Sequence, residues 1–171
     1  MTVIMITITA CTTGSDEEAE VPADFVSLDG GESFSLSYPG SWEILSNEDT
    51  EVRVAEPGSE DVRPSAAVTL DTTYSSGEGG FDTAVSGSMT VLNNVRQGVE
   101  ELDAQDVVIA GASTARLIES TYTTGSEVPV HHFDLFALSG DGQLFYARSE
   151  APSDVADPVQ LRAIVTSLVI R

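Results

Sequence analysis

Two histidines, His131 and His132, are the residues whose chemistry is most versatile in this 171-residue chain, and they are adjacent. Neighbouring side chains on a β-strand point to opposite faces of the sheet, so the two imidazoles cannot ligate one metal together. The chain also lacks the H-E-x-x-H spacing of zinc enzymes and the G-x-S-x-G turn of serine hydrolases. A weak zinc site on one histidine is the alternative to ordinary strand histidines. We predict no metal site.

A glycine-rich segment, Gly77-Glu78-Gly79-Gly80, precedes a predicted helix as a phosphate-binding loop would. It lacks the Lys-Ser/Thr that follows in such loops, and Glu78 would repel an anion, so we interpret it as a flexible loop. Asp154 and Asp157 do not form the spaced D-x-D-x-D-G pattern of a calcium loop. We therefore predict no cofactor and no catalytic residues, and we expect that the protein is not an enzyme.

The single cysteine, Cys11, ends an uncharged, largely apolar run and is followed by acidic residues. The segment Ile8-Thr9-Ala10-Cys11 resembles the lipobox of bacterial lipoproteins. That resemblance implies a diacylglyceryl group on the Cys11 sulfur and a mature protein anchored to the outer face of the cell membrane. Residues 1–11 are then the end of a truncated signal peptide, whose basic n-region we expect upstream of Met1. Residues 12–23 are predicted to form an acidic, flexible spacer.

The charge is strongly negative, with 28 acidic residues against seven basic ones and a formal net charge of −21. All seven basic residues are arginines. Such a surface repels phosphate backbones and anionic lipid head groups, which excludes nucleic acid as a partner and limits membrane contact to the lipid anchor. One interpretation of the acidity is solubility or a codon bias against lysine. The other is adaptation to high salt.

Period-two alternation and turn residues predict a series of strands from about residue 24 onward. A hairpin is indicated around Asp29-Gly30-Gly31, and a second around the loop 139–142. The strands flanking that second loop are apolar at both parities, so both faces of their sheet should be covered. The predicted strands are Phe25–Leu28, Ser33–Tyr38, Trp42–Leu45, Val52–Ala55, Ala66–Asp71, Val107–Ile109, Ala115–Ile118, His132–Leu138 and Gln143–Arg148.

Helical periodicity occurs twice. In the first helix, apolar residues recur at steps of three and four from Phe81 to Val99. The second helix should start at Asp157-Pro158, an N-cap residue followed by proline at the first helical position, and bury Leu161 and Leu168. Together these elements predict an α+β fold, a mainly antiparallel sheet covered by helices, formed by one domain over residues 24–171.

The order of these elements, with Phe34-x-Leu36-x-Tyr38-Pro39-x-x-Trp42 near the start and Ser167-Leu168 at the end, resembles the PsbP-like α/β/α sandwich. It is similar in particular to the LpqN/LpqT-type envelope lipoproteins of actinobacteria. The resemblance covers about residues 25–171 and implies a binding or assembly module without common catalytic residues. We expect Trp42 and Tyr38 either to line a groove for a ligand or partner or to pack in the core.

Two functions remain open from the sequence. The first is a lipid-anchored, extracytoplasmic interaction or assembly module that docks on an envelope protein through a basic patch of that partner. The second is a carrier for a small apolar ligand, held in a pocket between helix and sheet. The two functions differ in whether large side chains fill the interface between helix and sheet or leave room for a ligand. Phe81, Met89, Leu92 and Phe136 are large enough to fill it, which favours the interaction module.

Overall fold

A computed structural model describes residues 21–58, 62–71 and 78–171. The predicted lipid-anchor residue Cys11, and the signal and most of the spacer predicted around it, lie outside the described residues. The elements of the described part are β1 Phe25–Gly30, β2 Phe34–Pro39, β3 Glu43–Glu48, β4 Glu51–Ala55, β5 Ser65–Asp71, α1 Glu78–Val95, β6 Gln97–Asp106, β7 Ala112–Thr123, β8 Pro129–Ser139, β9 Leu144–Pro152, α2 Pro158–Thr166 and β10 Val169–Ile170.

The strands form two sheets. The larger has seven antiparallel strands in the order β3-β4-β5-β9-β8-β7-β6, and the smaller has three in the order β1-β2-β10. The smaller sheet and α2 share a core with one face of the larger sheet, whereas α1 packs on the opposite face. The predicted α+β class and the coverage of both sheet faces are confirmed.

The main core lies between the large sheet and the layer formed by α2 and the small sheet. Helix α2 begins as predicted, because the Asp157 side chain accepts hydrogen bonds from Val159 N and Gln160 N. Its apolar stripe is fully buried, with Leu161 and Ile164 at most 1% exposed. Two hydrogen bonds hold α2 in place. Ser37 N of the small sheet donates to Ser167 Oγ, just after the helix, at 2.9 Å, and Ser149 Oγ of the large sheet donates to Leu161 O at 2.8 Å.

Helix α1 differs from the prediction at both ends, since it includes Gly79 and Gly80 and stops at Val95. The predicted extension to Val99 is wrong because the chain bends at Arg96 and strand β6 begins at Gln97. Gly98, within that strand, has a φ of +59°, in the left-handed region that a helix does not contain. No helix in the described part of the chain has the length and apolarity needed to cross a membrane.

The strand predicted at Val107–Ile109 is also wrong, because these residues form no strand. The acidic segment before them, β6, pairs with β7 instead and forms one edge of the large sheet. Its sequence lacks strand character because most of its side chains are exposed and its pairing depends on a neighbour, β7, that follows it along the chain. Ile109 still packs in the main core.

Candidate functional site

A cavity of about 250 Å³ lies between the C-terminal half of α1 and strands β7, β8 and β9; we refer to it as the α1 cavity. The N-terminal part of α1 packs directly on the sheet, where Ala84 is buried against Phe136. Farther along the helix, Leu92, Val91 and Val95 line the cavity, and the last two are 57% and 63% exposed. The helix–sheet interface is therefore filled at one end and open at the other.

The sheet side of the α1 cavity is polar because of period-two alternation in two neighbouring strands. His132 and Asp134 on β8 face α1, and so do Arg148 and Glu150 on β9. The antiparallel register places His132 opposite Glu150 and Asp134 opposite Arg148. Four ionisable groups, two from each strand of one hairpin, thus converge on one patch of the sheet.

Three of these groups, His132, Asp134 and Glu150, form a buried ionic network of five side chains with Tyr122 and Tyr146. His132 Nε2 is bonded to Asp134 Oδ1 at 2.7 Å, and the Tyr146 hydroxyl donates to the same oxygen. The Tyr122 hydroxyl donates to Glu150 Oε2 at 2.8 Å. His132 Nδ1 lies 3.4 Å from that oxygen, which makes an ion pair but not a hydrogen bond. His132 therefore lies between two carboxylates whose remaining contacts come from tyrosine hydroxyls.

The network fixes the protonation state of its members. Burial alone would lower the pKa of His132, but Asp134 and then Glu150 outweigh it and raise that pKa to about 9. Burial would raise the pKa of Glu150, but contacts with His132 outweigh it and lower that pKa to about 2. Burial and a neighbouring carboxylate raise the pKa of both Tyr122 and Tyr146. At neutral pH His132 is an imidazolium and the tyrosines are neutral.

Two arginines complete the lining of the α1 cavity. Arg96, just after α1, lies over the Tyr122 ring with its guanidinium carbon 5.0 Å from the ring centroid. Arg148 is half-buried in the sheet wall. Beside them, Phe136 and Tyr146 stack with their ring centroids 5.1 Å apart. The cavity therefore combines an apolar helix wall with a charged, hydrogen-bonded sheet wall.

Of the residues singled out from the sequence, His132, Leu92 and Phe136 line the α1 cavity, and the other candidate site residues of the described part lie elsewhere. His131 faces away from α1, and its Nε2 contacts Glu119 Oε1 at 2.8 Å. Within the described ranges, no three or more His, Cys, Asp or Glu side chains are grouped so that they could hold a metal ion. Tyr38 and Trp42 are 6% and 8% exposed and pack in the main core, and neither lines the α1 cavity. Their burial favours the packing role.

Sequence reasoning missed the network, although a signal for it was present. His132-x-Asp134 and Tyr146-x-Arg148-x-Glu150 place polar residues at alternate positions of two strands that were otherwise recognised as apolar. Polar side chains at spacing two on a strand covered on both faces must find partners, because unpaired buried charges are costly. Pairing the two strands across the predicted 139–142 loop would have brought these residues together.

Several solved structures share this fold. The cyanobacterial PsbP of Synechocystis matches with a TM-score of 0.60 and 15% identity over 92% of this chain and 98% of its own. The Ran-binding protein Mog1p of Saccharomyces cerevisiae matches with a TM-score of 0.56 and 13% identity over 88% of this chain and 96% of its own. A protein from Bacteroides thetaiotaomicron matches with a TM-score of 0.53 and 13% identity over 84% of this chain and 47% of its own.

The fold is therefore PsbP-like, as the order of elements in the sequence indicated. No protein-family model matches this sequence. No curated protein matches it either. At identities of 13–15%, these likenesses concern the fold alone.

Proposed function

We propose that this protein is a non-enzymatic binding protein, held at the outer face of the cell membrane by a lipid on Cys11, which carries a small, largely apolar ligand in the α1 cavity. The observation that carries the proposal is the cavity itself. Large side chains were expected to fill the helix–sheet interface, yet about 250 Å³ remains between Leu92 on the helix and Phe136 on the sheet. Concave, partly apolar sites of this kind are where small ligands bind.

A binding role is favoured over catalysis by the state of His132. Asp134 and Glu150 raise its pKa to about 9, which favours the imidazolium at neutral pH and disfavours a role as general base. Both of its ring nitrogens lie within 3.4 Å of a carboxylate oxygen, so the ring is held in place. The network thus forms a wall of the α1 cavity whose polar groups are bonded to one another.

Two serines of α1 allow a matched test of the ligand site. Ser88 lines the α1 cavity, whereas Ser86 is exposed, and each hydroxyl donates to the carbonyl three residues before it. Protein isolated from its native membranes under non-denaturing conditions would be weighed by native mass spectrometry. We expect a co-purifying small molecule with wild type and Ser86→Trp but none with Ser88→Trp. Identical spectra for the two variants would refute the site.

The lipid anchor is tested separately. We expect wild-type protein in the membrane fraction, with the mass of a diacylglyceryl group on Cys11, when an n-region precedes Met1. Cys11→Ser should remove both the added mass and the membrane association. Unmodified, soluble mature protein would exclude the anchor and, with it, the LpqN/LpqT-type assignment that rests on the same residues.

Docking on an envelope protein through a basic patch is the second candidate, and the acidic edge of the large sheet favours it. Strand β6 presents four exposed carboxylates, those of Glu100, Glu101, Asp103 and Asp106. Yeast Mog1p, which shares the fold, is a Ran-binding protein. Cross-linking in intact cells should capture one partner whose yield falls in a Glu100→Gln/Glu101→Gln variant and at high salt. Capture indifferent to both would exclude docking at this edge.

A further inference from the structure

We propose that the ligand of the α1 cavity is a small amphipathic monoanion, an aliphatic chain that ends in one carboxylate, and that Arg148 and Arg96 bind its head group. This inference rests on the proposed ligand-carrying function and specifies the ligand's chemistry. It follows from the distribution of cations over the protein, the charges inside the cavity and the nature of its walls.

Arginines are scarce in this chain, and the two at the α1 cavity differ from most of the others. Among the described residues, neither Arg96 nor Arg148 has a carboxylate within 4 Å. Four of the other five arginines do have such a partner: Arg53 with Glu51, Arg63 with Glu43, Arg116 with Asp106 and Arg171 with Asp29. The fifth, Arg162 on α2, is half-buried and likewise lacks such a partner in the described part of the chain. Arg148 and Arg96 differ from Arg162 because they border a cavity, where an anionic ligand would complete their environment.

The carboxylates in the cavity do not serve as partners of these arginines, because they already accept hydrogen bonds from other side chains. Asp134 accepts hydrogen bonds from His132 and Tyr146, and Glu150 accepts one from Tyr122. Counting the imidazolium, the cavity holds three cations, namely His132, Arg96 and Arg148, against these two carboxylates. One positive charge is left over, which matches a ligand with a single negative charge.

A neighbouring cavity is also bordered by arginines. It has a volume of about 440 Å³ and shares Arg96, Tyr122 and Glu150 with the α1 cavity. Arg53 and Arg63 line it as well. Four of the seven arginines therefore border two adjoining cavities, in a protein whose surface otherwise repels anions.

The walls define the rest of the ligand. Val91, Leu92 and Val95 present methyl groups from the helix, and Phe136 presents an aromatic ring from the sheet. The volume of about 250 Å³ is below the ~300–1,000 Å³ of pockets for drug-sized ligands, so a short chain fits better than a long lipid. A guanidinium donates two parallel hydrogen bonds to a carboxylate, which orients the head group at Arg148 and the chain along α1.

Three eight-carbon probes that differ only in their head group test the proposal. The full chain is titrated calorimetrically with sodium octanoate, 1-octanol and octylammonium chloride. We expect octanoate to bind most tightly and octylammonium most weakly. Arg148→Gln should lower octanoate affinity by about tenfold or more, since hydrogen bonds to charged groups contribute ~1.5–3 kcal/mol and ~1.4 kcal/mol is a factor of ten.

Two further variants control for folding and overall charge. Arg96→Gln alters an exposed side chain and should also weaken octanoate. Arg162→Gln makes the same charge change on α2, across the sheet, and should bind octanoate as wild type does. If octanol or octylammonium binds as tightly as octanoate or more tightly, the proposal of an anionic head group is wrong, but the ligand-carrying function still holds. Binding of none of the three probes overturns both, and equal losses in Arg148→Gln and Arg162→Gln overturn the role of Arg148.

Discussion

The two faces of the seven-stranded sheet are packed in different ways. Against α2 and the small sheet, the core is closed, and side chains such as Ile164 and Phe34 are fully buried. Against α1, the core is small and gives way to a cavity whose sheet wall carries the buried ionic network. The closed face supplies most of the apolar burial, so we infer that it stabilises the fold, whereas the open face is where a ligand has room.

The largest expected effect concerns apolar packing. Ile164→Ala on α2 should lower the free energy of unfolding by ~2–5 kcal/mol, because a fully buried side chain leaves a cavity in a tight core. Val91→Ala on α1 removes a side chain that is 57% exposed and should change it by less than ~0.5 kcal/mol. Urea denaturation of both variants makes the measurement. Equal losses would show that the two faces contribute alike.

The ionic network should make stability depend on pH. His132 has a folded pKa of about 9 against an ordinary value of 6.5, so its contribution is complete below pH 6.5 and is lost as the pH rises through 9. The difference in unfolding free energy between wild type and His132→Asn should therefore shrink by about 3 kcal/mol from pH 6 to pH 10. Subtracting the variant removes the titration of the groups that do not contact His132. A constant difference would mean that folding does not raise the pKa of His132.

A smaller effect is expected at the start of α2. Asp157→Ala removes the side chain that caps the helix and should cost ~1 kcal/mol in the free energy of unfolding. The exposed Asp154 supplies the control, since Asp154→Ala makes the same charge change without removing a cap. Because α2 lies across the sheet from the α1 cavity, octanoate affinity should be unchanged in both. Weaker binding in Asp157→Ala would show that the two faces are coupled.

The smallest expected effect is a gain in stability. A Cβ at Gly87, inside α1, would meet no atom within 4 Å, so Gly87→Ala should stabilise the protein by ~0.5–1 kcal/mol through helix propensity. Gly111→Ala is the contrasting variant, because its φ of +81° is left-handed and a Cβ there would lie 2.0 Å from Ile170 O. In thermal melts, the melting temperature should rise for Gly87→Ala and fall for Gly111→Ala. A loss in Gly87→Ala would indicate that α1 packs more tightly than its exposed side chains suggest.

Local signals were sufficient for much of the fold. The alternation in Phe34–Tyr38, the turn at Gly30-Gly31 and the Asp157-Pro158 helix start each predicted an element that the structure contains. These features act within a few residues: a cap bonds the next turn, and alternation follows from the pleat of one strand. The order of such elements also indicated the PsbP-like fold.

The sequence by itself therefore determined which segments become strands or helices where periodicity is clear, together with the net charge and the apolar stripe of α2. Only the tertiary structure decided that acidic β6 joins the sheet, and that α1 leaves a cavity over His132, Asp134 and Glu150. The fit of α1 on the sheet depends on residues far apart in the chain, and β6 becomes a strand because it pairs with β7, not because of a periodicity of its own. No local periodicity encodes those distances, so the candidate site appears only when the strands are in register.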